Sequence, residues 1–196
     1  MRIAFLGAHR CGKTTLVKAL SEKTGIPVLL SDASAIFKLK RLAPDQEMSE
    51  SMRLGIQGQI AASHWKRVTD AGDSFFSDRS FLDFGMYVQL MVHQGITERM
   101  IDRCARSYVS RRIEDAAKAY DRIYAIPSVL DFVEEEGKFK RDDAQIALLE
   151  EIIDTFAHDY RVKNIVRHLP RSVVDLNERV DWVMRDMKSN IILPRE

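Results

Sequence analysis

The stretch of sequence that decides the fold is Gly7-Ala8-His9-Arg10-Cys11-Gly12-Lys13-Thr14-Thr15. It directly follows residues 2–6, an apolar run that predicts a buried strand, and it precedes residues 16–20, whose apolar spacing predicts a helix. The pattern G-x-x-x-x-G-K-T between a strand and a helix is typical of a phosphate-binding loop, or P-loop. The sequence therefore predicts a nucleoside-triphosphate site at the end of the first strand.

The chemistry of triphosphate binding explains the spacing of this motif. Gly7 and Gly12 allow the backbone to fold into a concave set of N–H donors, and the helix that follows points its positive end at the phosphates. Every residue of the stretch is therefore a candidate for cofactor binding. Lys13 would bind the β- and γ-phosphates and the Thr14 hydroxyl would ligate Mg²⁺, so ATP and Mg²⁺ are the expected cofactors. The alternative is a chance match in a glycine turn, but the agreement of strand, loop and helix argues against it.

The composition is that of an ordinary soluble domain. Of the 196 residues, 45% are hydrophobic and 30% are charged, and a formal net charge of +1 gives no general attraction to nucleic acid or anionic membranes. No apolar run has the length of a membrane-spanning helix or of a signal peptide core. The chain has two cysteines, Cys11 and Cys104. A disulfide at Cys11 would disturb the P-loop, which indicates a reducing compartment. We expect a single cytoplasmic domain over residues 1–196, with no membrane association.

Short apolar runs alternate with helical patterns along the rest of the chain. After the first strand, further strands are expected at residues 26–30, 74–77, 122–127 and 172–176. The longest helical patterns between them cover residues 48–71, 81–94 and 97–119. Five short strands separated by helices predict a three-layer α/β/α fold, with a five-stranded parallel sheet that is covered on both faces.

Ligands of such sheets bind beyond the carboxyl ends of the strands, and two of these ends carry acidic residues. Asp78 follows the third strand, where a carboxylate can hold Mg²⁺ and its water shell, and Arg79 beside it could clamp a phosphate. Alternatively, Asp78 caps the next helix and Arg79 faces solvent. Asp32 follows the second strand and could accept a proton from an acceptor hydroxyl, or else cap the helix behind it. The candidate catalytic residues here are Lys13, Asp32, Asp78 and Arg79, and the candidate metal ligands are Thr14 and Asp78.

A charged, glycine-containing loop at about residues 134–143 follows the fourth strand. Its cations are Lys138, Lys140 and Arg141, and they suggest a lid that closes over the phosphates and stabilises charge at the γ-phosphoryl group. Of the three, we assign Arg141 to catalysis. The alternative is a solvated surface loop, which is the usual role of a charged run.

Two predicted helices carry residues that could recognise an acceptor. Arg99, Arg103 and Arg106 are spaced to share one helix face and could contact an anionic substrate, including a DNA backbone. Gln57 and Gln59 could form hydrogen bonds with an acceptor base. In both cases the alternative is an ordinary solvated helix surface.

In these motifs the chain resembles the small P-loop kinases that act on nucleosides, namely the deoxynucleoside kinases and the kinase domain that phosphorylates nicotinamide riboside. Gly7 to Thr15 matches their P-loop, Asp32 lies where they place a substrate-side carboxylate, and Asp78-Arg79-Ser80 is similar to their acidic-Arg-Ser signature. Val174-Asp175-Leu176-Asn177 resembles their adenine-side loop. The resemblance implies the strand order 2-3-1-4-5, and it implies that Leu176 and Asn177 flank the adenine.

The resemblance also implies ATP- and Mg²⁺-dependent transfer of the γ-phosphoryl group to a hydroxyl of a nucleoside-like or nucleotide acceptor. Two alternatives stay open: a phage-type kinase that phosphorylates 5-hydroxymethyluracil in DNA or a polynucleotide 5′ end, and a nucleotide-hydrolysing regulatory switch. A GTPase-type switch would carry a guanine-recognition motif after the fourth strand, which residues 125–128 do not match. The predicted helices at 48–71 and 81–119 could form the face of a homodimer.

Overall fold

A computed structural model of the protein describes residues 1–43, 46–130 and 142–189. In this part of the chain, strands and helices alternate as expected for an α/β protein. The strands are β1 (Arg2–Leu6), β2 (Val28–Leu29), β3 (Phe75–Ser77), β4 (Arg122–Ala125) and β5 (Val166–His168). The helices are α1 (Lys13–Thr24), α2 (Ala33–Leu39), α3 (Glu50–Asp70), α4 (Phe81–Gln94), α5 (Arg99–Ala119), α6 (Asp143–Ala157) and α7 (Leu176–Ser189).

The five strands form one parallel sheet in the order β2-β3-β1-β4-β5. β1 lies in the centre, with Ala4 beside Ser77 of β3 and beside Ile123 of β4. The predicted parallel sheet and its strand order are therefore confirmed. Because all strands run in the same direction, their carboxyl ends meet at one edge of the sheet, where the P-loop and Asp78 lie.

Alternate residues of β1 belong to two separate hydrophobic cores, one on each face of the sheet. Ile3 and Phe5 pack with apolar residues of α1 and α7, such as Leu16 and Val183. Ala4 and Leu6, on the opposite face, belong to the larger core that α3, α4, α5 and α6 cover. Since both faces of the strand are buried, its sequence is continuously apolar rather than alternating. The molecule is the expected three-layer α/β/α sandwich.

The predicted fifth strand at residues 172–176 is wrong, because the strand lies earlier in the chain, at Val166–His168. β5 is an edge strand that pairs only with β4, and of its three residues only Val166 is buried, so it has no apolar run. The apolar pair Val173 and Val174 precedes α7 instead: Val173 packs against the core under α7, while Val174 is 45% exposed. The last helix consequently begins at Leu176.

Several other predicted boundaries also differ from the structure, among them those of the second strand and of the helix after Gly95. The second strand shortens from residues 26–30 to Val28–Leu29, at the other edge of the sheet. The helix expected to begin at Thr97 begins at Arg99, because Thr97 donates its backbone N–H and its hydroxyl to the Glu50 carboxylate instead, at 3.0 and 3.2 Å. That contact ties the turn between α4 and α5 to the start of α3.

None of the helices in the described ranges is long and apolar enough to cross a membrane. Both cysteines are free thiols; Cys11 is buried in the P-loop and Cys104 is exposed on α5.

Candidate active site

The P-loop backbone joins β1 to α1 and leaves no room for a side chain at its first glycine. A Cβ at Gly7 would lie 2.7 Å from Cys11 Sγ and 2.8 Å from the carbonyl oxygen of Ile126, just after β4. The loop ends at Gly12, whose φ of 89° lies in the left-handed region that glycine adopts without strain. Arg10 also has a positive φ, of 64°, which is uncommon for a residue with a side chain. The two glycines of the motif are therefore required by contact and by conformation.

Lys13, the first residue of α1, folds its ammonium group back into the loop. Its Nζ donates hydrogen bonds to the carbonyl oxygens of Gly7 and Ala8 at 2.6 and 2.8 Å, and it lies 3.6 Å from Cys11 Sγ. The side chain is 7% exposed. Phosphate oxygens would be stronger acceptors for this ammonium than neutral carbonyls, because both partners would be charged. The structure thus holds the motif lysine inside the loop.

Thr14 and Asp78, the two predicted metal ligands, lie side by side. The Thr14 hydroxyl donates to Asp78 Oδ2 at 3.3 Å, and Asp78 Oδ1 accepts the backbone N–H of Ser31 at 2.8 Å. Asp78 does not cap α4, because Ser80 does. A hydroxyl and a carboxylate at the start of a P-loop helix suit Mg²⁺, which takes few protein oxygens and completes its shell with water and phosphate oxygens. The pair therefore fits a Mg²⁺ site shared with a nucleotide.

Asp32 lies directly after Ser31 and faces α3. Its Oδ2 accepts a hydrogen bond of 2.5 Å from the Ser63 hydroxyl. Its Oδ1 is buried and has no hydrogen-bond partner among the described residues. Asp32 occupies the N-cap position of α2, but its side chain makes no capping hydrogen bond there. A carboxylate with one oxygen anchored and the other unpaired is able to accept a proton or a hydroxyl hydrogen bond.

Arg79 and His9 bring two more polar groups to the same end of the sheet. The guanidinium of Arg79 lies 5.9 Å from the ring centre of Tyr87. Burial opposes its charge, yet Tyr87, Asp83 and Asp78 outweigh that effect and raise the pKa of Arg79. His9 is buried, and burial together with the charges of Lys13 and Arg79 lowers its pKa, so its imidazole is neutral near pH 7. The site therefore carries its positive charge on lysine and arginine rather than on histidine.

Asp83 is a buried carboxylate of this site that the sequence analysis missed. It forms a capping box with Ser80, in which Asp83 Oδ2 accepts the Ser80 N–H at 2.8 Å and the Ser80 hydroxyl at 2.9 Å. Its Oδ1 lies 3.8 Å from Lys13 Nζ. Burial raises the pKa of Asp83, and the charges of Lys13 and Arg79 oppose that rise. The pattern Ser80-x-x-Asp83 before an apolar run was the available signal, since it is the sequence mark of a capping box.

Beneath the strand-end turn that carries Asp78 and Arg79 lies a second buried group, His64 and Tyr120, which the sequence analysis also missed. His64 Nε2 and Tyr120 Oη are 2.8 Å apart, and Tyr120 Oη donates to the Arg79 carbonyl oxygen at 3.4 Å. The Ser77 hydroxyl donates to the same carbonyl at 2.6 Å. Burial lowers the pKa of His64 to about 4, so the ring stays neutral at physiological pH. The two side chains come from α3 and from the end of α5, and only the fold brings them together.

A family model described as an AAA domain matches residues 2–182. The chain belongs to this AAA-domain family. A search of curated proteins gives no match.

Solved structures of P-loop kinases share the fold of this AAA-domain protein. Deoxyadenosine kinase from M. mycoides with bound dCTP aligns over 97% of this chain and 100% of its own, with a TM-score of 0.69 and 12% identity. Thymidylate kinase from Candida albicans aligns over 97% and 92%, with a TM-score of 0.67 and 14% identity. NadR in complex with NR has a TM-score of 0.71 and 14% identity, and the match covers 100% of this chain and 52% of NadR. At such low identity the likeness concerns the fold alone.

The residues predicted to flank the adenine lie at the start of the last helix of the AAA-domain protein. Leu176 and Asn177 are exposed in the first turn of α7, where Asp175 Oδ1 accepts the backbone N–H of Asn177 at 2.8 Å. Arg179, one turn further along α7, contacts the P-loop. Its Nη1 donates a hydrogen bond to the Cys11 carbonyl oxygen at 3.0 Å. The predicted lid residues 134–141, with Lys138, Lys140 and Arg141, lie outside the described residues.

The arginines of α5 are largely paired within their own helix. Arg106 Nε donates to both oxygens of Asp102, at 2.9 and 3.0 Å, and Arg112 Nη2 lies 2.7 Å from Asp115 Oδ2. Arg106 and Arg103 are exposed. Gln59 is exposed on α3 as well, while Gln57 is half-buried and its backbone carbonyl accepts the Tyr108 hydroxyl at 2.8 Å. Of the three arginines predicted to share a face, Arg106 is thus paired within its own helix.

Proposed function

We propose that this protein is a kinase that transfers the γ-phosphoryl group of ATP, with Mg²⁺, to a hydroxyl of a nucleoside-like or nucleotide acceptor. The fold that it shares with deoxyadenosine kinase and thymidylate kinase supports this proposal by analogy. The stronger support comes from the site itself, because Lys13, Asp32 and Asp78 follow three separate strands and lie at one edge of the sheet.

The observation that carries the proposal is the double contact of Asp78. One of its oxygens lies against Thr14 on the side of the P-loop, and the other holds the backbone of Ser31, next to Asp32. Asp78 thus connects the P-loop helix to the segment that carries Asp32, a carboxylate with an unpaired oxygen. A phosphorylated donor on one side and a proton acceptor on the other is the arrangement that phosphoryl transfer to a hydroxyl requires.

In the proposed reaction the acceptor hydroxyl oxygen forms a bond to the γ-phosphorus while the bond from that phosphorus to the β,γ-bridging oxygen breaks. The electron pair of that bond leaves with ADP, and Asp32 accepts the hydroxyl proton. Lys13 and the P-loop N–H groups hold the phosphates, and Arg79 neutralises charge on the phosphoryl group in transit. Mg²⁺, held by Thr14 and Asp78, would neutralise the β- and γ-oxygens when bound. Roles for Arg141 at the phosphates and for Leu176 and Asn177 at the adenine are part of the same proposal.

Transfer of label from γ-labelled ATP to a panel of acceptors tests this function. The panel contains nucleosides, nucleotides, nicotinamide riboside, and DNA with and without 5-hydroxymethyluracil, and each reaction is repeated with the Lys13→Ala variant. Label on a nucleoside or nucleotide that disappears with Lys13→Ala is the expected result. Label that remains on DNA would identify a nucleic-acid kinase, and DNA binding that weakens steeply with salt would accompany it. Release of free phosphate alone would contradict the kinase and favour a hydrolysing switch.

A further inference from the structure

Arg179, on the last helix, is one of the most deeply buried charged residues of the described chain, and it lies directly behind the P-loop. We propose that Arg179 is a positioning residue, which orients the Cys11–Gly12 peptide of the P-loop for phosphate binding. The proposal rests on the nucleotide site proposed above and adds to it a residue that no P-loop motif contains.

Two hydrogen bonds fix the guanidinium group of Arg179. Nη1 donates to the Cys11 carbonyl oxygen at 3.0 Å, and Nε donates to the Val173 carbonyl oxygen at 3.1 Å. The side chain is 2% exposed, so these donors are shielded from bulk solvent. One planar group therefore connects the loop before α7 to the P-loop, and a lysine, with a single nitrogen at its end, could not span both carbonyls in the same way.

Because a peptide bond is planar, the hydrogen bond from Arg179 to the Cys11 carbonyl also orients the N–H of the next residue, Gly12. The Cys11–Gly12 peptide is trans, as are all the described peptides, so its C=O and N–H point in opposite directions. Since Arg179 holds the Cys11 carbonyl, the Gly12 N–H must point away from Arg179. That N–H is one of the donors that a P-loop turns toward phosphate. Without the hydrogen bond from Arg179, the Cys11–Gly12 peptide could rotate and present its carbonyl oxygen to the phosphates instead.

Two further features fit this role. A Cβ at Gly12 would lie 3.3 Å from Arg179 Nη1, so the guanidinium fills the space beside the glycine and limits its movement. Nη2 is buried without a hydrogen-bond partner among the described residues, and no carboxylate in that part of the chain forms an ion pair with Arg179. Arginine stays protonated in proteins. Its positive charge behind the loop, which no carboxylate of the described residues pairs with, therefore favours an anion on the other side.

The test is equilibrium binding of Mg–ADP and of inorganic tripolyphosphate to the whole protein, in the wild type and in Arg179→Lys and Arg179→Met. The matched control is Arg185→Met, which removes an exposed arginine of the same helix that donates to the Asp181 carbonyl. Thermal unfolding without ligand sets a temperature at which every variant is folded. We expect both Arg179 variants to bind each ligand about tenfold more weakly or worse, and the control to match the wild type.

The use of tripolyphosphate, which has no base, separates this role from contact with the adenine. If affinity falls for Mg–ADP but not for tripolyphosphate, Arg179 acts on the nucleoside and the proposal is overturned. The same holds if the folded Arg179 variants bind both ligands within about twofold of the wild type. In kinetics, the KM for ATP should rise while the KM for the acceptor stays unchanged, a split that a general loss of stability would not produce. Binding of Mg–ADP is read without any transfer step, so a failed kinase assay leaves this test intact.

Discussion

The ammonium of Lys13 lies 3.8 Å from the carboxylate of Asp83, and neither side chain is open to solvent, with exposures of 7% and 0%. The P-loop is thereby joined to the capping box at the start of α4. Because that box includes Ser80, which directly follows Asp78 and Arg79, the P-loop and the turn after β3 share one buried contact.

The capping role of Asp83 outweighs its charge in the stability of the protein. Asp83→Ala removes the acceptor of two Ser80 hydrogen bonds and should lower the free energy of unfolding by about 2 kcal/mol. Asp83→Asn keeps an oxygen for these bonds, and because burial disfavours the charged form, it should change stability by less than about 1 kcal/mol. Urea unfolding at pH 7 measures both. Equal losses in the two variants would mean that the charge, and not the cap, is essential.

Gly7 and Gly55 should respond in opposite ways to alanine. Gly7→Ala forces a Cβ to within 2.8 Å of the Ile126 carbonyl, a backbone atom, so the loop must shift and Mg–ADP binding should be lost. Gly55 is exposed in the middle of α3 with nothing within 4 Å of its Cβ position, and Gly55→Ala should stabilise the protein by about 0.5–1 kcal/mol. Calorimetric titration and thermal unfolding measure the two effects. Wild-type nucleotide affinity in Gly7→Ala would refute the packing argument.

His64 should make the protein sensitive to acid. Its pKa is about 4 in the folded protein and near 6.5 when unfolded, so the unfolded chain binds more protons between these values. Stability should therefore fall as the pH drops from 6.5 to 4, by about 3 kcal/mol from this residue. His64→Gln does not titrate, so its unfolding free energy should depend less on pH in that window, although it starts lower at pH 7. Parallel curves for the two proteins would show that His64 is not the group responsible.

Thr14 and Asp78 should set the Mg²⁺ requirement of nucleotide binding. Thr14→Val removes the hydroxyl, and Asp78→Asn removes the negative charge. Both variants should therefore bind ADP more weakly in the presence of Mg²⁺, while their affinity for ADP in EDTA should equal that of the wild type. Thr14→Ser keeps the hydroxyl and serves as the matched control. A titration of ADP at several Mg²⁺ concentrations gives the comparison. Equal weakening with and without the metal would assign the pair to the loop's structure rather than to Mg²⁺.

Local patterns in the sequence predict the P-loop and the carboxylates at the strand ends. The P-loop follows from a motif of nine residues and its flanking elements, and the carboxylates of Asp32 and Asp78 follow from the apolar runs that precede them. The strand order comes from the resemblance to the P-loop kinases. Asp83 was also within reach of the sequence, because Ser80-x-x-Asp83 is a local pattern. The strand at Val166–His168 could not be predicted from the sequence, because an edge strand with one buried residue lacks the apolar run that identifies a strand.

The contacts that support the site from behind could not be predicted from the sequence. Arg179 meets Cys11 across 168 positions of the chain, and His64 meets Tyr120 across 56. Each pair depends on how a helix packs against the sheet, which no local pattern encodes. In the sequence, Arg179 is one more charged residue of an amphipathic helix, and His64 is one more member of the apolar side of α3. Only their burial in the fold distinguishes them.

The measurement that tests the central claim most directly is rapid-quench transfer of label from γ-labelled ATP to the acceptor found in the panel, in the wild type and in Asp32→Asn. The asparagine keeps the shape and the contact with Ser63 but cannot accept a proton. We expect transfer in the single turnover to slow by about 10²–10⁴ in Asp32→Asn, with Mg–ATP affinity unchanged. Transfer at the wild-type rate in Asp32→Asn, or label that appears only as free phosphate in the wild type, would contradict the account.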